Sequence, residues 1–325
     1  MTKRRHIGAL LCWALTLGAA LPAHAAYPDK PITLVVPYAP GSPADVVART
    51  LGEGLAKRLG QAVVVENKPG GNTQIGTAYA ARAQPDGYTL MLGNMDSHAV
   101  NPLLAKNLPY DTGRDFAPVV LVARPTTVLV ASPGGPVRNA AELLRVAKAQ
   151  PDKLSYGSWG LGSVAHLWGV LLEQTADIRL YHVPFQGTPA ALQALMGNQI
   201  DLMFAPPALA VAQAQAGKLR IIGSTAAQRL AQYPDLPTLA EQGFNGFEGS
   251  TWFGVFAPAR TPPEVLERLN REFQLVLHST ETTARMATLS MTPLGGPPSA
   301  LADLQRESRA RWARLIAERG IKLED

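Results

Sequence analysis

The chain has 325 residues, 46% of them hydrophobic, 17% charged and 6% aromatic, a globular composition that excludes a mostly disordered protein and suggests two domains. Its net charge is +5, but Lys3, Arg4 and Arg5 supply three of those charges, leaving +2 from Ala26 onward, and no Lys/Arg run forms the basic stripe a nucleic-acid surface needs. The one cysteine, Cys12, excludes a disulfide within the chain.

Lys3-Arg4-Arg5-His6, then the apolar run Ile7 to Leu21, then Pro22-Ala23-His24-Ala25 follow the order of a secretory signal peptide cut after Ala25. The apolar run is 15 residues, short of the ~20 that cross a bilayer. A mature, cysteine-free protein exported to the periplasm is therefore expected, in a compartment with no ready ATP or NAD.

Ile32 to Val36 reads as a buried strand ending at Pro37. Ser42-Pro43-Ala44-Asp45 then opens a helix, with Ser as N-cap, Pro first and an acid in the third position. Val47, Leu51, Leu55 and Leu59 recur every four residues and Gly60 stops the helix. Val63 to Val65 is a strand, Gly70-Gly71-Asn72-Thr73 a loop, Ile75 to Ala83 a helix and Tyr88 to Leu92 a strand. This β-α-β-α-β order predicts a parallel sheet with helices on its faces.

Further strands are expected at Pro118–Val122, Val128–Val130, Leu154–Tyr156, Tyr181–Val183, Ile200–Phe204, Leu219–Ile222 and Thr251–Phe256. Helices are expected from Asn139 to Ala149, from Ser163, from Thr188 to Gly197, from Thr261-Pro262-Pro263-Glu264 and from Leu301 to Arg319. A boundary between two sheets falls near Ala123-Arg124-Pro125, where two strand-like runs abut.

In open α/β sheets ligands sit beyond the carboxyl ends of strands, at helix N-termini whose first amides are unpaired. Four such junctions carry small or hydroxyl residues: Pro40-Gly41-Ser42, Gly70 to Thr73, Gly157 to Ser163, and Gly187-Thr188. None contains an arginine, so an anion bound there is held by amides and hydroxyls. A serine hydrolase using Ser158 or Ser163 with His166 and Asp201 is an alternative, but the G-x-S-x-G elbow is absent. Gly160 to Ala165 fits the loose dinucleotide pattern G-x-G-x-x-A alone, mid-chain and without an acid at the usual spacing. His98, His166, His182 and His278 are widely spaced, so no metal or other cofactor is expected.

Many stretches in order resemble the extracytoplasmic solute receptors of the tripartite tricarboxylate transporters, the Bug receptors. They include Tyr27 to Ile32, Val36-Pro37-Tyr38-Ala39-Pro40-Gly41 with Asp45, Val65 to Gly70, Pro85 to Leu90, and Leu108 to Asp111 before Asp115 to Val119. Gly162-Ser163 with His166-Leu167, His182 to Phe185 with Gly187, Gly197 with Asp201 and Met203-Phe204, and Trp252-Phe253-Gly254 continue the match.

The resemblance implies an α/β, two-domain, type II-like Venus-flytrap fold with two crossover strands and the ligand in the interdomain cleft. Beyond the signal peptide over 1–25, it implies a discontinuous first domain of 26–124 plus 250–325, and a second domain of 125–249. A carboxylate would be held by amides and water in the first loop, in a monomer that serves transporter membrane subunits; a sensor feeding a membrane signalling protein is the other non-enzymatic reading.

The implied ligand-binding set is Tyr38, Ala39, Gly41, Ser42, Asp45, Thr73, Gln74 and Asn94 from the first domain, and Ser158, Gly162, Ser163, His166, Phe185 and Ala205 from the second. Tyr38 would wall the pocket, the amides near Gly41 and Ser42 would face a carboxylate, and Asp45 would fasten the loop. The sequence departs from the family where Ser42 replaces a second glycine, where Gly-Gly-Asn-Thr replaces Gly-Ala-Gly-Gly, and where Ala205 replaces an acid after Met203-Phe204. With no acid evident in the cleft, carboxylates without an amino group are the expected ligands, either a small dicarboxylate or an aromatic monocarboxylate.

Overall fold

A computed structural model describes residues 27–321; the expected signal peptide and its cleavage site lie outside them. Two five-stranded mixed sheets organise the chain. The first has the order β2-β1-β3-β10-β4, built from β1 (Ile32–Val36), β2 (Val63–Asn67), β3 (Thr89–Asn94), β4 (Phe116–Ala123) and β10 (Phe253–Pro258). The second has the order β7-β6-β8-β5-β9, from β5 (Val128–Ala131), β6 (Ser155–Ser158), β7 (Tyr181–Pro184), β8 (Leu202–Ala205) and β9 (Arg220–Ser224).

Both sheets follow one plan. Three parallel strands carry the βα crossovers, and one interior strand runs against its neighbours: β10 between β3 and β4, β5 between β8 and β9. The β-branched apolar runs suit strands covered on both faces; Ile32, Leu34, Val35 and Val36 of β1 are all fully buried.

Two segments cross between the sheets side by side. Thr126 bridges Ser250 in antiparallel fashion, and the Thr251 amide donates to the Pro125 carbonyl at 3.1 Å. Thr225 ties them together, its hydroxyl donating to the carbonyls of Thr127 (2.9 Å) and Gly249 (2.5 Å). Trp252 is fully buried here and its Nε1 donates to Ser308 at 3.0 Å.

Helix α1 (Pro43–Leu59) begins and ends as its residues require: the Ser42 hydroxyl accepts from the Asp45 amide, and Gly60 closes it in the left-handed conformation. Helices α2 (Gln74–Ala81), α3 (Asn101–Leu104), α4 (Ala140–Ala149), α5 (Val164–Ala176) and α6 (Thr188–Met196) follow. Then come α7 (Pro207–Gln215), α8 (Pro263–Leu277), α9 (Thr280–Ala287) and α10 (Pro298–Arg319). Among the described residues no helix is long and apolar enough to cross a membrane.

Some local expectations need correction. Thr261 does not cap α8: its hydroxyl donates to the Pro258 carbonyl at 2.7 Å, and Pro262 takes the cap position without a side-chain bond. The strand expected from Thr251 starts at Phe253, because Thr251 still belongs to the crossing. Helices α7 and α9 and a single π-helical turn over Asp96–Val100 were not anticipated.

One apolar cluster runs through both sheets. It joins Val35, Met91 and Phe256 of the first with Leu129, Tyr156 and Phe204 of the second, through Trp168, Trp252 and Trp312. Trp312 of α10 reaches the loop after β3, its Nε1 lying 3.0 Å from the Met95 sulfur. That contact helps fix the turn in which Asp96 sits.

Candidate functional site

Two helix starts are built on one five-residue pattern, Gly41-Ser42-Pro43-Ala44-Asp45 and Gly162-Ser163-Val164-Ala165-His166. Each serine caps its helix by accepting from the amide three residues on, at 3.3 Å for Asp45 and 3.4 Å for His166. Each glycine holds a positive φ, 79° and 72°, and donates its amide to the side chain at the third helical position: Gly41 to Asp45 Oδ2 at 2.9 Å, Gly162 to His166 Nδ1 at 3.3 Å. Without a Cβ, glycine adopts that φ at no steric cost.

At α1 the loop is fastened from several sides. Asp45 is buried and also accepts from Asn67 Nδ2 (2.8 Å) and Arg49 Nε (3.0 Å). Burial alone would raise the Asp45 pKa, but the bonds from Arg49, the Gly41 amide and Asn67 outweigh it and hold the carboxyl below its ordinary value. The Ser42 amide donates to the Ala39 carbonyl at 3.3 Å. The Gly41 and Ser42 amides, expected to face a ligand carboxylate, are both engaged within the loop in this structure. Ala39 itself is exposed.

The two halves meet at Asp96, two residues beyond β3. Its Oδ1 accepts from the Val164 amide, the first helical residue of α5, at 2.6 Å. Its Oδ2 accepts from Asn94 Nδ2 at 3.0 Å and from the Tyr38 hydroxyl at 3.4 Å, and the Trp159 side chain also donates to this carboxylate. Tyr38 and Asn94 are in turn closely hydrogen-bonded to each other.

Asp96 is 1% exposed. Its burial pushes the carboxyl pKa up, against the lowering effect of these four donors. The Tyr38 hydroxyl is pushed well above its ordinary value, by burial first and then by the Asp96 charge. Three expected site elements, Tyr38, Asn94 and the start of α5, are therefore joined through a residue that sequence reasoning passed over. Its position just past the carboxyl end of a parallel strand was the available signal. A buried acid that the sequence reading did not name therefore sits between Tyr38, Asn94 and the start of α5. Asp201 is not that acid, since its Oδ2 accepts from the Ser155 amide (2.8 Å) and hydroxyl (2.9 Å) at the opposite end of β6.

On the second sheet, Ser158 ends β6 and is almost fully buried. Its hydroxyl lies 2.7 Å from His182 Nε2 and 2.9 Å from the Gly160 carbonyl, and the Ser163 hydroxyl donates to the same carbonyl at 2.6 Å. His166 and His182 stack with ring centres 4.1 Å apart, a pairing that their spacing in sequence hid. Burial holds His166 down to about 4; burial and the neighbouring His166 hold His182 down to about 3. Both are neutral bases at pH 7. The Ser158–His182 contact is a tie inside a closed loop, not an exposed nucleophile. The Phe185 amide donates to the Ser158 carbonyl at 3.0 Å, and Ala205 ends β8 fully buried opposite Val128.

Thr73 and Gln74 lie at the start of α2. Thr73 is buried, accepting from Asn101 Nδ2 at 3.2 Å, and is linked to Asn94 through Asn101, Tyr110 and Ser97. Gln74 lines an open groove of about 870 Å³ between α2 and the starts of β1 and β3. The groove runs along α2 from Gly71 and Gln74 at its start to Arg82 and Gln84 beyond its end, with Thr33 and Thr89 opposite. Among the described residues no group of three or more His, Cys, Asp or Glu side chains converges as a metal site.

The family model described as "Tripartite tricarboxylate transporter family receptor" matches residues 47–321. A UPF0065 protein encoded in the tcbD-tcbE intergenic region of Pseudomonas sp. strain P51 is 38% identical over 90% of this chain and 87% of its own. The solved structure of Rpa4515 from R. palustris with adipate superposes with a TM-score of 0.86 at 32% identity, covering 91% of this chain and 99% of that one. MatC from Rhodopseudomonas palustris with bound malate gives 0.81 at 32% identity, over 89% of this chain and all of that one. By sequence and by its two five-stranded sheets, this chain belongs to the tripartite tricarboxylate transporter receptor family, whose members are solute receptors and not enzymes.

Proposed function

We propose that the chain is a periplasmic receptor that captures a small organic carboxylate between its two halves and delivers it to membrane subunits of a tripartite tricarboxylate-type transporter. The observation that carries this reading is the family match together with the solved relatives that hold adipate and malate; the 2.6 Å bond from the Val164 amide to a carboxylate oxygen shows the same chemistry inside the chain. The start of α5 already works as a carboxylate seat, with an internal side chain as its occupant. A helix N-terminus supplies unpaired amides and a favourable dipole, so no arginine is needed. The solved relatives with adipate and malate agree with that chemistry.

In this reading residues 26–124 plus 250–325 move as one body and 125–249 as the other. The paired crossings serve as the hinge, and the protein acts as a monomer after loss of its first 25 residues. Residues around Tyr38, Ser42, Asn94, Ser158, Ser163, His166 and Phe185 line the closing cleft.

Thermal unfolding against a carboxylate panel tests it. A ligand present at 100 times its dissociation constant stabilises the folded state by ~2.7 kcal/mol. The panel is succinate, adipate, malate, citrate, benzoate, aspartate and glutamate. Failure of every acid to shift the transition at millimolar concentration refutes the reading.

A further inference from the structure

The two helix starts share a pattern and differ at one position that matters for ligand choice. The first helical residue of α1 is Pro43, which has no N–H. Its counterpart in α5 is Val164, whose N–H is directed across the cleft at Asp96. The α5 start is therefore the better anion seat of the two, and a side chain of the opposite half has filled it.

Asp96 is also saturated. A carboxylate offers about four lone-pair sites, and the Val164 amide, the Asn94 amide group, the Tyr38 hydroxyl and the Trp159 side chain supply four donors. All four are themselves held in place. Val164 lies in a helix, Asn94 is fixed by Ser97 at 3.0 Å, Tyr38 packs against the core of the first sheet, and Trp159 packs edge-on against Trp168 with ring centres 5.6 Å apart. None of the four is a cation.

We infer that Asp96 is a specificity-determining residue that occupies the seat a second ligand carboxylate would take, so that the cleft selects ligands with one carboxylate and an uncharged far end. The inference rests on the carboxylate-receptor reading. A dicarboxylate reaching for the α5 start finds its donor taken and meets the like charge of the buried Asp96, and both effects oppose binding. An ammonium group fares no better, because it gains Asp96 only by displacing a fixed donor that is then left buried and unpaired. An apolar far end requires neither exchange. The cleft thus contains an acid, yet that acid is not a free partner for an amino group.

Three six-carbon acids that differ only at the far end make the test: hexanoate, adipate and 6-aminohexanoate. Calorimetric titration of the mature protein should show hexanoate binding at least tenfold tighter than either of the others. The pairs butyrate/succinate and benzoate/terephthalate repeat the comparison on a shorter and on a rigid frame. In Asp96→Asn, which keeps the shape and removes the charge, the disadvantage of the dicarboxylate should shrink at least tenfold. Asp96→Ser should do the same by vacating the seat. Circular dichroism checks that both variants fold, and if neither does, the wild-type ratios still decide.

Adipate or 6-aminohexanoate binding as tightly as hexanoate, with the shorter and rigid pairs in the same order, overturns the assignment while leaving a carboxylate receptor standing. Equal ratios in wild type and in folded Asp96→Asn overturn it too. Absence of binding by every one of these acids overturns the assignment together with the carboxylate reading.

Discussion

Replacing Asp45 by alanine should cost far more than the loss of an ordinary helix cap. A simple cap is worth about 0.5–2 kcal/mol. Asp45 is buried and joins the Gly41 amide, Asn67 Nδ2 and Arg49 Nε. Hydrogen bonds to a charged group contribute ~1.5–3 kcal/mol each. Arg49 is half exposed, so its ion pair is screened and adds little. Water can reach the exposed Gly41 amide and soften its loss, whereas the Asn67 amide group sits in a partly buried pocket. The balance is about 2–4 kcal/mol for Asp45→Ala.

Urea unfolding at pH 7 reads this directly as a fall in midpoint at unchanged slope. The companion Asp45→Asn adds a pH signature. The folded-state carboxyl pKa lies below its unfolded value of 3.8, so its contribution is complete above the unfolded pKa and is lost as pH falls through the folded one. The wild-type margin over Asp45→Asn should therefore be constant above about pH 5 and shrink below about pH 4. An Asp45→Ala protein within about 0.5 kcal/mol of wild type, the scatter of ordinary surface changes, refutes the account of the loop as a network centred on this carboxylate.

Three other outcomes are expected. Gly169→Ala should destabilise by at least ~1–3 kcal/mol, since its new methyl group would overlap the Tyr156 ring; retention of the wild-type melting temperature counts against the packing described. His166 and His182, held down to about 4 and about 3, should stay neutral in NMR spectra at pH 5.5, and stability should fall as pH drops below about 6.5, because unfolding exposes rings that then take up protons; a ring titrating near 6.5 in the folded protein contradicts this. Trp252→Phe should cost about 1–3 kcal/mol by leaving the buried Ser308 hydroxyl without its partner, measured by urea unfolding; a change under about 0.5 kcal/mol rejects that role.

Local signals were legible in the residues wherever a local rule decides structure. Ser42-Pro43-Ala44-Asp45 announces its own helix start, Gly60 its own stop, and the β-branched run of β1 its own strand. Helix α7 gave no such signal: Pro207-Ala-Leu-Ala-Val-Ala-Gln-Ala-Gln has no apolar stripe, and only Pro207 and Ala210 are buried. Helix α9 buries only Thr282 and Met286, too few for a periodicity to show.

The site was legible in its hydroxyls and glycines but not in its connections. Asp96 looks like any acid in a polar turn until Val164, distant in sequence, is placed on its oxygen. The stack of His166 on His182 likewise appears only once β6 and β7 lie side by side. The engagement of the Gly41 amide by Asp45 depends on a side-chain rotamer, which spacing alone does not specify.

The interior antiparallel strands also govern the order in which this protein can be assembled. Strand β5 directly follows one crossing and β10 the other, and each lands inside the sheet across from the strand it left. The second sheet draws all five strands from one uninterrupted stretch, so it can form before the rest of the chain exists. The first cannot: until residues 253–258 arrive, β3 and β4 have no common neighbour and both present open edges. Closing that gap joins segments more than a hundred residues apart, a slow step on loop-entropy grounds. A nascent or truncated chain ending before β10 would thus hold one finished half and one sticky, unfinished half, vulnerable to aggregation and proteolysis until its last quarter is supplied.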